Sequence, residues 1–241
     1  MSGPLPELSS ATRATVLALA DDEMCTGHRH AEWIGRGPFL EEDLALTSIA
    51  QDELGHAIVL YGLLTDDVDA FALHRPAADY RSAHLVELRL DDWGDHVVRH
   101  LLYDVAEQLR WQALAAEPVP ALAGLAERVL AEEAYHLRHA VAMVRRLLAG
   151  TAESRRRIVA SLDRLLPFVP ELFEGGPDET PGIPFRRWQG ELQAALEGLG
   201  VPVEAVPANR GGGRRGIRSA DFPQLQADMT EVLRLDLSAT W

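Results

Sequence analysis

Four long helical stretches, separated by a short, a long and a short connection, constrain this chain more than any other feature. From Ala11 to about Gly150 it is dominated by Ala, Leu, Glu and Arg with little β-branched enrichment, which is a helical pattern. The first stretch runs from about Ser10 to Ile34 and stops at the Gly35, Gly37, Pro38 cluster. The second begins at Pro38, favoured in a first helical turn, and reaches about Leu64 before the acidic break Thr65, Asp66, Asp67. The third covers about Asp92 to Ala116, and the fourth about Pro118 to Leu148, closed by Gly150. About four residues join the first stretch to the second, and as many join the third to the fourth, so each pair is expected to form an antiparallel hairpin. The link from Thr65 to about Asp91 is much longer.

This connectivity predicts an all-α fold, a four-helix bundle with one long crossover in the ferritin-like arrangement. Beyond Gly150 further helices are expected at about Ala152 to Phe173, Phe185 to Leu199 and Pro223 to Leu235, separated by the Gly/Pro-rich turn Gly175 to Pro184 and a Gly- and Arg-rich loop. At 241 residues the chain can bury roughly three quarters of its unfolded surface, so it needs no disulfide or zinc staple. One domain over 1–241 is expected, with the core bundle at about 10–150 and a C-terminal helical extension at about 151–241.

Charge and composition remove whole classes of function. A formal charge of −14 repels nucleic acid and anionic lipid. All 23 basic side chains are Arg, which excludes Schiff-base chemistry, a P-loop lysine and lysine general bases. The single Cys25 excludes a disulfide framework and thiolate zinc or iron–sulfur sites within one chain, and points to the cytoplasm. No apolar run approaches the roughly 20 residues of a membrane span, and the first ten residues lack the basic and apolar regions of a signal peptide.

The chemistry is carried by a motif that occurs twice. Glu53 and His56 form a Glu-x-x-His pair, as do Glu133 and His136. Three positions apart on a helix, carboxylate and imidazole can converge on one ion. One pair is weak evidence, since about 0.75 arise by chance at this composition. The two pairs here, however, each fall near the middle of the second helix of a hairpin, 80 residues apart. Each is preceded by an acid at matching height in the first helix: Glu23 lies 30 residues before Glu53, and Asp104 lies 29 before Glu133. Four carboxylates and two imidazoles across four helices are the ligand set of a carboxylate-bridged dinuclear iron or manganese centre. Glu53 and Glu133 are the expected bridging and catalytic ligands, with Glu23, His56, Asp104 and His136 completing the metal set. Leaving four such carboxylates buried and unpaired would be prohibitively costly.

His100 and Glu107 share the face of Asp104 and could orient a ligand, and Glu107 is also its rival as the ligand itself. His30 and His139 could equally be exposed or capping residues. Met24, Cys25, Trp33 and Trp111 are expected to pack. Arg210, Arg214, Arg215 and Arg218 form the one basic patch, in a Gly-rich loop, where they could contact a phosphate-bearing anion such as CoA or an acidic partner.

At three stretches, EWIGRGPFLEEDLAL, EEAYHLRH and GGGRRGIRSADFPQLQADMTEVLRL with its closing Trp241, the sequence resembles the phenylacetate-degradation family of ferritin-like proteins. This family comprises the A and C subunits of the multicomponent ring 1,2-phenylacetyl-CoA epoxidase. Those stretches and the length look like the C subunit, which scaffolds the A subunit that carries the di-iron site. QDELGH at Gln51 to His56 instead resembles the catalytic subunit, and Glu23 and Asp104 fall at its remaining carboxylate positions. The resemblance implies two iron ions, with manganese possible, an aryl-CoA thioester substrate, an oligomeric assembly and an A-like partner subunit. It also implies electrons from NADPH through a separate reductase, and the chain itself has no flavin motif and no cluster cysteines. The alternatives are a metal-silent structural subunit and a ferritin-like ferroxidase.

Overall fold

The computed structural model describes residues 5–174, 185–201 and 211–235, and within them every regular element is helical. The fold class is the one expected, an all-α ferritin-like bundle built from two long helical hairpins with extra C-terminal helices. The described residues gather into two compact units, one of 5–89 with 212–235 and one of 90–174 with 185–201 and Gly211.

In the first unit, α1 (Ser10–Ala31) packs along α2 (Leu40–Gly62). Ser9 caps α1 by accepting the Thr12 N–H at 3.0 Å. The helix ends at Ala31, three residues before the expected Ile34, and the turn that follows uses Gly35 at φ 78°. Pro38 lies outside α2, which starts after extended Phe39 and carries Glu41, Glu42 and Asp43 in its first turn, where the helix dipole favours acids. The crossover contains α3 (Val68–Leu73), a 3₁₀ turn at Ala77–Asp79 and α4 (His84–Glu87), which packs on α1. Here Tyr80 is buried edge-on against Phe222, 5.1 Å between ring centroids.

In the second unit, α5 (Trp93–Ala115) pairs with α6 (Pro120–Ala149) across the expected four-residue connection. Asp92 caps α5 through the Gly94 N–H at 2.8 Å, and Pro120 opens α6. A Thr151–Ser154 capping box starts α7 (Ala152–Leu165), which packs on α5 and α6. The helix expected to continue to Phe173 stops at Leu165. Pro167 and Pro170 remove N–H donors, and Leu166–Phe173 tightens into 3₁₀ turns. α8 (Phe185–Ala195) ends before the expected Leu199 and buries Trp188, whose Nε1 donates to the Leu102 carbonyl at 3.2 Å.

The last expected helix is two: α9 (Phe222–Met229) and α10 (Glu231–Leu235), divided at Thr230. Both belong to the first unit, where α9 packs on α1 and on the 3₁₀ turn at Ala77–Asp79. Among the described residues, no helix is long and apolar enough to cross a membrane.

Candidate metal centre

The first helix of each hairpin is buried on all sides through its middle, α1 from Ala18 to Gly27 and α5 from Gly94 to Glu107. Acids at these heights are therefore taken out of water whichever way they point. In the first unit α1 supplies Glu23, and α2 supplies Glu53 and His56 one helical turn apart. All three are buried, and one ligand atom of each lies within 4.8 Å of the others. His56 Nδ1 stands 3.6 Å from Glu23 Oε2.

The second unit repeats the chemistry. Glu133 and His136 are fully buried on α6, with His136 Nδ1 3.4 Å from Glu133 Oε1. On α5, Asp104 Oδ2 faces His100 Nε2 at 3.2 Å, and both are buried. His139, half-buried, meets His100 edge-on at 5.5 Å between ring centroids. Glu107 is fully buried; its Oε1 accepts the Trp111 indole N–H at 3.2 Å, while its Oε2 has no hydrogen-bond partner among the described residues.

These spacings suit a shared cation. Carboxylate–imidazole hydrogen bonds have donor–acceptor distances of about 2.7–3.2 Å, so 3.4 and 3.6 Å are long for one. Two donors each about 2.1 Å from one first-row ion, at about 90–120°, would stand roughly 3.0–3.6 Å apart. The donor set in each unit is oxygen-rich with a single Glu-x-x-His imidazole, which suits iron or manganese better than thiolate-seeking metals. The oxygen left over on Glu107 is a further buried donor of the same type.

The remaining expected residues are placed as follows. Met24, Cys25, Trp33 and Trp111 are buried, and Trp111 also holds Glu107. His30 is fully buried rather than exposed. Arg214 is buried in a two-pronged pair with Asp22, at 2.9 and 2.6 Å. Arg218 bonds Glu87 Oε1 at 2.6 Å and Ser82 Oγ at 2.7 Å. An anion from solution would compete at both with the chain's own carboxylates. Arg215 is exposed, and Arg210 lies outside the described residues.

The buried acids Asp21, Asp22 and Glu87 escape motif reading, although Asp-Asp-Glu inside an apolar helical run is a signal that partners must arrive from elsewhere. Asp21 accepts the Tyr61 hydroxyl at 2.6 Å and the Arg81 N–H at 2.6 Å, and pairs with Arg75. Burial raises the Glu87 carboxyl above its ordinary range, against the lowering effect of Arg218 and of the Ser219 N–H.

Residues 5–241 match the family model described as phenylacetic acid catabolic protein. The C subunit of the 1,2-phenylacetyl-CoA epoxidase of Escherichia coli (strain K12) is 27% identical over 243 residues, covering 95% of this chain and 98% of that protein. With a match across nearly the whole length, on an all-α scaffold whose hairpins each bury a Glu-x-x-His pair, the chain belongs to the phenylacetic acid catabolic protein family.

Proposed function

We propose that this chain is a metal-binding subunit of a multicomponent di-iron monooxygenase of phenylacetate catabolism, acting in the ring 1,2-epoxidation of phenylacetyl-CoA or a similar aryl-CoA thioester. The observation that carries the reading is the repeated set of buried ligands: an intact Glu-x-x-His pair in each hairpin, with buried acids on the helix before it.

In this reading Glu23, Glu53 and His56 from one unit, and Glu133 and His136 with an acid of α5 from the other, hold two iron ions, manganese being the alternative. When bound, the ions supply the redox chemistry by which one oxygen atom of dioxygen enters the ring and the other leaves as water, with two electrons from NADPH delivered by a separate reductase. The chain's own residues place the ligands and keep them dry. Of the two acids on α5 we assign the ligand role to Glu107, because Trp111 fixes one of its oxygens and leaves the other available. Asp104 then works with His100 behind it, as an orienting carboxylate.

That the relative is a C subunit supports a second reading, in which the chain is a metal-silent partner that stabilises a catalytic A-like protein. Anaerobic titration of the purified full chain with Fe(II), followed by metal analysis, separates the two. Two ions per chain are expected, falling in Glu53→Ala and His136→Ala, and falling further in Glu107→Gln than in Asp104→Asn. Less than one ion per chain after reconstitution, unchanged by these substitutions, would leave the scaffold reading.

A further inference from the structure

We infer that Arg214, carried to α1 by the segment Gly212–Ser219, is a positioning residue that fixes the rotation of α1 and so aims Glu23 at its metal. The inference rests on the metal reading above and goes beyond it, because Arg214 lies 192 residues from its partner Asp22 and is no ligand in any version of that reading.

Asp21, Asp22 and Glu23 are each fully buried on α1. Successive helical residues turn by about 100°, so three in a row sweep roughly 200° and cannot share a face. Each must find its own partner on a different side of the helix. Asp21 is held from one side by Tyr61, Arg75 and the Arg81 N–H. Asp22 is held from another by both prongs of Arg214 and by the Ala83 N–H at 2.7 Å. Glu23, next in line, is the one left facing His56. A helix gripped at two adjacent positions by charged partners on different sides cannot roll without breaking one of them. The grip on its two neighbours thereby sets the direction in which Glu23 leaves the helix.

The segment is built to deliver that guanidinium. Arg214 also donates to the Ala18 carbonyl at 3.2 Å, one turn before Asp22, and to the Arg81 carbonyl. Gly216 sits at φ 80°, and a Cβ there would lie 2.4 Å from the Ala78 carbonyl oxygen, so the turn presses against the crossover as only glycine allows. Arg218 and the Ser219 N–H tie the far end of the segment to Glu87, at 2.6 and 2.7 Å. The Glu87 carbonyl in turn accepts from Arg29 Nε at 3.1 Å, two turns along α1 from Asp22. Asp22 and Glu87 are thus joined both through α1 and through the segment.

The test is Mn(II) binding to the full-length chain, followed by calorimetry for affinity and stoichiometry and by electron paramagnetic resonance for the number and environment of bound ions. Arg214→Gln is the first variant. Asp22→Asn with Arg214→Gln is the second, which leaves no buried charge alone and keeps the fold if the single variant does not. In the folded variant, one ion is expected to bind as in wild type and the other about 10- to 100-fold more weakly, with the resonance of the second ion changed and that of the first kept. Wild-type affinity for both ions in a folded variant would overturn the inference and leave the metal reading intact. So would equal weakening of both ions, the mark of a general structural loss. Failure of the wild-type chain to bind Mn(II) at all would instead overturn the metal reading, and this inference with it.

Discussion

Cys25 sits two residues beyond the proposed ligand Glu23 and is fully buried. Burial pushes its thiol far above the ordinary range, and the negative charges of Glu87 and Asp21 push it further. A thiol that neither ionises nor meets solvent is inert, so native protein is expected to resist iodoacetamide until it unfolds. Stoichiometric alkylation of folded chain would contradict that environment. His28 behaves differently because it is only partly buried. Desolvation lowers it below its ordinary 6.5, Arg29 lowers it further, and Asp228 opposes both. The unfolded chain therefore takes up a proton more readily than the native one. The stability His28 contributes is whole above pH 6.5 and is lost as pH falls through that value toward the folded one. Glu87 has the opposite sign. Its folded value is raised, so its contribution grows as pH falls through that raised value toward 4.5. The unfolding temperature of His28→Gln is thus expected to fall less than that of wild type between about pH 7 and pH 5.5, and parallel curves would refute the assignment.

Between elements, α1 approaches α2 closely at Gly27, where a Cβ would lie 2.8 Å from Leu54 Cγ and 3.2 Å from the Ala50 carbonyl oxygen. Leu54 follows Glu53 directly, so a wedge at this point presses on the proposed ligand's own turn. Gly27→Val is expected to cost about 1–3 kcal/mol of unfolding free energy, read from denaturant midpoints at constant slope, and a neutral result would mean that the helices part without penalty. Periodicity locates the four long helices because each runs for many turns and ends in Gly, Pro or a cap. It fails at Leu166–Phe173, where the apolar spacing continues but Pro167 and Pro170 have no N–H to give. It also fails in the crossover, whose helices, of four and six residues, are too short to show a period. The Glu-x-x-His pairs are legible because a helix brings ligands three residues apart together. The Asp22–Arg214 pair is not, since no local rule links positions 192 residues apart.

At the scale of the molecule, the formal charge of −14 includes buried acids in both units that no surface count distinguishes from solvated ones. If two divalent ions occupy the proposed ligands, they bring four positive charges to these acids in the folded chain and find no preformed site in the unfolded one. Binding energy then becomes folding energy. At 100 times its dissociation constant an ion that binds only the native state adds about 2.7 kcal/mol, and at roughly 2–4 °C per kcal/mol for a chain of this size one site raises the unfolding temperature by about 5–10 °C. Mn(II) is expected to produce a rise that grows with its concentration and is reversed by a chelator. Glu53→Ala should reduce it, because that residue is a proposed ligand. Arg157→Gln should keep it, since Arg157 pairs with Glu153 and Asp92 in an exposed cluster remote in sequence from every proposed ligand. A wild-type unfolding temperature that ignores Mn(II) would mean that the buried carboxylates are balanced by protons and internal partners alone, and the role left for the chain would be that of a scaffold.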